Sequence, residues 1–466
     1  MQTDPVAVIG AGPAGLAAAH ELAGQGFSPL VLERTSAIGG LARTELHDGY
    51  RVDVGGHRFY THIQPIQRDW QDMLGEDFLT VRRLSRIYYN NLFFKYPLQL
   101  RDTLGNLGLG ESGLILLSYL KARLLPHRPE ESFETWVTNR FGRRLFRTFF
   151  QAYTEKVWGI PCNVLRADWA AQRIGKLSLA SVLGNVFLRR NGLRTLAEQF
   201  QYPRLGPGML WEKYQRQILL HRGQFSMCEE VLQLDHDGRS VRDLRVRRGP
   251  QLAVVPVRQV ISSMPLSELV ACLRPQPPAP VLRAAEGLKS RSFLLVALIV
   301  NRPHLFDDNW LYIHSPAVRV GRIQNYKNWS REMVPDPSRT CLGMEYFCNR
   351  GDELWRMDDQ ALVSLAGGEL ARLGLAAPEE LERGFVIREA HAYPVYDQDY
   401  RRNLDLVRGF LGTLDNLQVI GRSGMHRYNN QDHSMLTGIL AARNLLGQQN
   451  DLWAVNVERG QASVPR

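Results

Sequence analysis

Cysteine is scarce in this chain, and the little there is has no pattern. The five cysteines among 466 residues, Cys162, Cys228, Cys272, Cys341 and Cys348, are odd in number and lack metal-ligand spacing. That excludes a disulfide framework and a cysteine-built metal site, and it suits a reducing compartment. Long apolar runs are missing as well. No stretch reaches the roughly 18 residues that a membrane-crossing helix needs. The opening residues pass directly into an apolar strand and leave no room for a signal peptide, so a cytoplasmic location is expected. Acidic residues are in deficit: the net charge is +10, which favours an anionic ligand or an anionic surface. The basic residues are dispersed along the chain, so nucleic acid is not an expected partner. With 44% hydrophobic and 22% charged residues, the composition is that of a globular protein, and the length suits two or three closely packed lobes.

Glycine, by contrast, is placed with care. Val6–Ile9 reads as a buried parallel strand, followed by Gly10-Ala11-Gly12-Pro13-Ala14-Gly15 and an alanine-rich helix. Gly10 permits the tight turn, Gly12 lets a pyrophosphate approach the backbone, and Gly15 lets the helix pack close to the strand. The helix N-terminus offers N–H groups and partial positive charge to phosphates. Glu33, closing the strand Leu30-Val31-Leu32, is placed to accept from an adenosine ribose, with Arg34 beside it. A second glycine pair, Gly39-Gly40, is followed by Leu41 and Arg43. It supplies another close backbone approach and a cation, which suits FAD better than NAD. The segment Asp53-Val54-Gly55-Gly56-His57 is again glycine-rich and can pass close to a flat ring.

Further along, residues 129–200 read as helices, including an aromatic run through Phe149, Phe150, Tyr153 and Trp158. Residues 228–263 turn to strands, with Val231 in the first, and return the chain to the nucleotide lobe. Leu417 to Gly421 reads as a buried strand, Arg422 to Ser434 as a polar loop, and about Met435 to Leu446 as a last helix. The expected fold is therefore α/β: a Rossmann-type FAD-binding domain, an inserted helical lobe and a mixed β-sheet substrate domain. Its boundaries are 1–60, 228–265 and 415–450 for the discontinuous FAD domain, 61–227 for the largely helical lobe, and 266–414 for the mixed sheet. A second glycine triplet, Gly108, Gly110 and Gly113, has neither a preceding strand nor a following acid and is taken as chance. The apolar, basic stretch after it is expected to pack within the helical lobe, with contact to a membrane surface as the other reading.

Several strings resemble the UDP-galactopyranose mutase family, within the wider amine oxidase and protoporphyrinogen oxidase group of FAD proteins. They are Phe149-Phe150-Gln151-Ala152-Tyr153-Thr154-Glu155-Lys156-Val157-Trp158-Gly159, the Asp53 to His57 loop, Ala392-Tyr393-Pro394-Val395, and Gly421-Arg422-Ser423-Gly424-Met425-His426-Arg427-Tyr428-Asn429-Asn430-Gln431-Asp432. They occur in family order over nearly the whole chain. The resemblance implies an enzyme that interconverts pyranose and furanose forms of a nucleotide-diphosphate sugar, serving cell-surface polysaccharide synthesis. Reduced flavin N5 attacks the anomeric carbon, and NAD(P)H is only a transient reductant. It further implies His57 as a catalytic residue beside the flavin; Phe149, Phe150 and Tyr153 as a surface for the base, with Trp158 also in the substrate set; and Arg173, Tyr393 and Tyr428 as catalytic, substrate-binding groups around the diphosphate. Arg322 or Arg350 is a second candidate diphosphate ligand. Val231, Gly421, Arg422, Asn430, Asp432 and Ser434 join the cofactor set. Two departures are visible: Cys348 stands where the mutases carry an arginine, and Asn430 stands where bacterial members can carry an acid. The competing expectation is an FAD-dependent oxidoreductase of amines, porphyrinogens or polyprenoids. The expected partner is a small nucleotide sugar, with no metal; a second copy of the chain and a membrane surface are left open.

Overall fold

The computed structural model describes residues 5–96, 100–167 and 198–456. The opening strand Val6–Ile9 is the centre of a five-stranded parallel sheet, ordered Leu417–Val419, Gln259–Ser262, Val6–Ile9, Leu30–Glu33, Gln224–Met227. Each short strand is apolar on both faces because both faces are covered. Val8, Val31 and Ile261 face a core shared with helices Pro13–Gly24, Gln431–Leu445 and Gly208–Leu220. Ala7, Ile9, Leu32 and Val260 face the other way, onto a core with the four-stranded sheet that contains Glu229–His236. Two helices cross very closely here: a Cβ on Gly438 would meet the Ala14 carbonyl oxygen at 2.1 Å.

A seven-stranded sheet forms the second half, ordered Leu381–Pro394, Ser290–Val300, Thr340–Cys348, Arg322–Asn325, Trp310–Ile313, Ser85–Tyr89, Leu92–Lys95. All its pairings are antiparallel except that of Trp310–Ile313 with Ser85–Tyr89. Alternate residues of Ser290–Val300 again serve two cores. Leu294, Val296 and Leu298 pack toward helix Asp359–Arg372. Phe293, Leu295 and Ala297 pack toward helices Phe133–Phe141 and Ala152–Trp158. The candidate site lies on this second face.

The segment 61–227 is more divided than a largely helical lobe. Its hairpin Ser85–Tyr89/Leu92–Lys95, turned by Asn90 and Asn91 in left-handed conformation (φ 50° and 61°), extends the seven-stranded sheet. Ile87 and Phe94 of the hairpin are buried in the core on the site face of that sheet. Phe78–Arg82 pairs with Gln199–Pro203, while Gly208–Leu220 and Gln224–Met227 belong to the parallel-sheet side. The last helix starts at Gln431, four residues earlier than the sequence suggests, so Asp432 and Ser434 occupy its first turn. Helix Leu109–Leu124 buries Ile115, Tyr119 and Ala122 in the lobe but leaves Leu114, Leu116, Leu117, Leu120 and Leu124 on the surface, where packing within the lobe was expected.

Candidate active site

The phosphate end of the site follows from what glycine leaves open. Gly10 has φ +97°, and a Cβ there would lie 2.2 Å from Ser263 Oγ. A Cβ on Gly15 would lie 1.9 Å from the Gly10 carbonyl oxygen. Gly12 and Gly40 face each other, a Cβ on Gly40 falling 3.1 Å from Gly12 Cα. The twelve-residue helix Pro13–Gly24 receives no side-chain cap at Gly12, so its N-terminal donors face the two-glycine cradle. Pro13 at the first helical position gives up no donor the helix would have used. This cradle, which side chains would fill, and the uncapped helix end fit a dinucleotide pyrophosphate. Glu33 ends its strand with Oε2 accepting from Ala11 N–H and Oε1 from Thr35 N–H, both at 2.9 Å. The carboxylate is thus fixed beside the turn with lone pairs to spare for hydroxyl donors. Arg34 turns away to Glu268 at 3.6 Å. Val231 is buried in the adjoining four-stranded sheet, opposite Val246.

Arg43 joins this end to the substrate sheet. It donates to the Gly40 carbonyl at 3.0 Å and pairs with Glu389 at 2.5 Å, on the strand that carries Tyr393. Leu41 packs against the aromatic core. The loop 53–57 is pinned at both ends. Asp53 is buried, accepts from Tyr202 Oη at 2.5 Å and Thr44 Oγ1 at 2.8 Å, and burial raises its pKa to about 7. His57 donates from Nε2 to the Val54 carbonyl at 2.9 Å. Burial, assisted by Arg422 and Arg322, lowers its pKa to about 4, so it is a neutral imidazole. Gly55 and Gly56 pass directly over the seven-stranded sheet: a Cβ on Gly56 would lie 2.7 Å from Gln324 Nε2. From the other side, Gln431, opening the last helix, donates to the His57 carbonyl at 3.5 Å and leaves its buried Oε1 unpartnered among the described residues.

Aromatic rings form the next layer. Tyr393 and Tyr428 lie nearly parallel, centroids 5.8 Å apart, and Arg422 sits over both, 4.3 Å from Tyr428 and 5.5 Å from Tyr393. Arg422 is held by the carbonyls of Asn429 (2.9 Å) and Ala392 (3.0 Å). Trp158 lies 6.3 Å from Tyr393 and 6.2 Å from Tyr428. Below Tyr393 a buried ion pair joins Arg322 to Glu345, Nη2 to Oε2 at 2.5 Å, with Gln324 donating to the other oxygen at 2.8 Å. Burial, the largest single influence, favours loss of the Arg322 proton, but Glu345 together with Tyr393 and Tyr153 outweighs it and keeps the guanidinium charged. Tyr153 stacks on His314 (4.7 Å, 12°) and meets Tyr312 edge-on. Burial raises the Tyr153 pKa well above the usual phenol value and lowers His314 to about 3.

The structure therefore brings His57, Trp158, Tyr393, Arg422 and Tyr428 together, with Arg322 beside them. Phe149 sits deeper, packed on Phe94 at 5.0 Å and Tyr89 at 5.9 Å, and Phe150 stacks on Phe141. Both belong to a π-helical turn, Phe146–Gln151, that re-aims the chain before Tyr153. Asp432 accepts from the His433 N–H, and the Ser434 N–H donates to the carbonyl of exposed Asn430. Gly421, at φ +79°, donates to Thr437 Oγ1 and lies against Ala14. Arg173 lies outside the described residues. Arg350 is exposed at a turn, and Cys348 is buried, its thiol pushed by burial up to about 11. Beside Cys348, Arg291 donates to the carbonyls of Phe347 (2.9 Å), Lys156 (3.2 Å) and Val157 (3.3 Å), closing the C-terminal end of helix Ala152–Trp158. Sequence reading missed Glu345, Gln324 and His314. The signal for Glu345 is a lone acid inside the otherwise uncharged strand Thr340–Cys348, which is tolerable only with a buried partner.

Comparison with known proteins points the same way as the cradle. The family described as flavin containing amine oxidoreductase matches residues 13–446. A crystal structure of reduced UDP-galactopyranose mutase superposes with a TM-score of 0.84 at 22% identity, over 98% of this chain and 99% of that one. Wild-type putrescine oxidase bound to putrescine gives 0.61 at 16% identity, over 96% and 99%. Hydrogen cyanide synthase subunit HcnB of Pseudomonas protegens is 38% identical over 88 residues, 19% of this chain. That match spans only about a fifth of the length of HcnB, 18%.

Proposed function

The chain belongs to the flavin-containing amine oxidoreductases, and from that premise we propose that it is an FAD-dependent mutase interconverting pyranose and furanose forms of a nucleotide-diphosphate sugar. The observation that carries this reading is the Tyr393–Tyr428 pair under Arg422, set against the buried Arg322–Glu345 pair. Two cations and two phenols converging on one spot suit a diphosphate that must leave and return, since charge-assisted donors stabilise a departing dianion in a site sheltered from water. A likeness in fold to UDP-galactopyranose mutase supports the reading.

Bound flavin would supply a nucleophilic N5 when reduced, and no protein nucleophile is required. Gly10, Gly12, Gly15 and Gly40 would cradle its pyrophosphate, Glu33 its ribose, and the 53–57 loop its ring. Neutral His57 would face the ring as a hydrogen-bonding group and not as a charge. Arg422, Arg322 and Arg173 would hold the diphosphate, with the Tyr393 and Tyr428 hydroxyls donating to it. Tyr153 and Phe150 would stack on the base, a contact worth about 1–3 kcal/mol, with buried Trp158 backing Tyr393 and Tyr428. NAD(P)H would act only as an occasional reductant.

The decisive measurement incubates dithionite-reduced protein with UDP-galactopyranose and related nucleotide sugars, followed by chromatography. Ring-isomer product is expected; its absence with every sugar tried removes the mutase reading. Buried Cys348, in place of an arginine, favours the second reading, an FAD-dependent oxidoreductase with net turnover. Stoichiometric flavin reduction by an amine, a porphyrinogen or a polyprenoid would establish that one.

A further inference from the structure

Helix Leu109–Leu124 is packed on one face and bare on the other. Ile115, Tyr119 and Ala122 are buried. Its one acid, Glu111, is drawn toward the body of the protein by Arg144, whose Nε and Nη2 each donate at 2.6 Å. The outer face is leucine: Leu114, Leu116, Leu117 and Leu120 are 46–64% exposed, and Leu124 and Leu125 are 79% and 69% exposed. At about 100° per residue, Leu116, Leu120, Leu124 and Leu117 fall in one sector about 100° wide. Arg123 borders that sector on one side and Lys121 on the other, both exposed, and neither makes an ion pair among the described residues. Exposed His127 and Arg128 follow the helix.

A contiguous leucine ridge is unusual on a monomeric protein surface and marks a contact site. The charges choose the occupant. The helix's single acid is tied to Arg144. One exposed cation lies on each edge of the apolar stripe, and exposed His127 and Arg128 continue the basic end, so the uncompensated charge around the leucines is positive and complements an anionic surface. That is the arrangement of an interfacial helix, whose leucines enter the acyl boundary while lysine and arginine reach up to anionic headgroups. No described helix is long and apolar enough to cross a membrane, so the contact is peripheral. We propose that helix Leu109–Leu124 docks the protein on an anionic lipid surface.

The test is flotation of the flavin-loaded protein with phosphatidylglycerol-containing and with pure phosphatidylcholine vesicles. Binding to the anionic vesicles alone, released by salt, is the expected result. Leu117→Ser/Leu120→Ser/Leu124→Ser and, separately, Lys121→Glu/Arg123→Glu should each weaken it by at least about tenfold with flavin content unchanged. Failure of the wild type to bind anionic vesicles overturns the proposal, as does undiminished binding by the leucine variant. If the wild type ignores vesicles and the leucine variant converts a dimer to monomer, the ridge is a contact between copies. If it ignores vesicles and the variant only melts lower, the chain itself covers the ridge. Either result sinks the lipid assignment.

Discussion

At the scale of single residues, the site depends on charges kept in place by burial. Glu345 is fully buried, and its two oxygens are divided between Arg322 and Gln324. Removing one partner of such a pair leaves an uncompensated charge, which costs about 3–5 kcal/mol. Glu345→Gln should therefore lower the melting temperature by several degrees and weaken nucleotide-sugar binding, while Asp359→Asn, an exposed ion-pair partner of Arg388, should do neither. An unchanged melting curve for Glu345→Gln would show that the pair is not buried in solution. Arg422 poses a different question, because its role is planar as well as charged. Arg422→Lys keeps the charge but cannot lie over Tyr428 and Tyr393 while holding two carbonyls. About a tenfold or greater loss of turnover is expected with the flavin spectrum unchanged. Arg422 was within reach of the sequence because its neighbours form a recognisable string, whereas Arg322 could be named only as an alternative to Arg350. Glu345 and Gln324 were out of reach. Their meeting depends on the pairing of Arg322–Asn325 with Thr340–Cys348, and nothing local announces a register.

At the scale of elements, the chain is most legible where function and local geometry coincide. The opening strand, glycine turn, helix and Glu33 lie within thirty residues and were readable as one unit. In the segment 61–227 the hairpin at Asn90-Asn91 carries its own local turn signal, but the sheets that the segment's strands join do not, because the partners lie far away. Ser85 pairs opposite Trp310, and Glu33 opposite Met227. The last helix shows the same limit on a small scale, its polar first turn reading as loop. That helix also offers an element-scale prediction. Gly438 lies where Gln431–Leu445 crosses Pro13–Gly24, and a Cβ would meet Ala14 backbone at 2.1 Å. Helix backbone cannot yield as a flexible side chain can, so Gly438→Ala must move one helix against the other. Because Pro13–Gly24 bears the pyrophosphate cradle at its N-terminus, flavin occupancy after purification should fall along with stability. Gly368→Ala, in helix Asp359–Arg372 with nothing within 4 Å of the added carbon, is the control and should retain both. Equal flavin content in the two variants would mean that the crossing does not fix the cradle.

At the scale of the whole molecule, one half-buried and two buried histidines come from three separate parts of the chain. His57 lies on the loop over the substrate sheet, His314 beyond Trp310–Ile313, and His426 just before the closing helix. Burial is the first cause in each, and it lowers their pKa values to about 4, about 3 and about 4 from an ordinary value of 6.5. A lowered histidine pKa means that the unfolded chain binds more protons than the folded one below pH 6.5. The associated stability is present above that pH and is lost as pH falls through the folded values, at roughly 3 kcal/mol each for His57 and His426 and roughly 5 kcal/mol for His314. Asp53 works in the opposite sense. Burial raises it to about 7 from 3.8, so its contribution is complete at acid pH and is lost as pH rises through 7. Thermal stability should therefore fall from pH 6.5 toward pH 4 as the three histidines outweigh Asp53, whose opposing contribution is lost between about pH 4 and 7 and changes nothing above that. Because His57 and His426 flank the proposed ring and diphosphate sites, flavin release should follow the acid limb, measured by the rise of free-flavin fluorescence. His314→Phe, which keeps a ring against Tyr153, should make the acid limb shallower. Asp53→Asn should make the acid limb steeper, because it removes the one contribution that opposes the histidines there, its amide still accepting from one of the two hydroxyls that now hold the carboxyl. If both variants kept the wild-type pH profile, the buried groups would not be what couples the cofactor site to the fold.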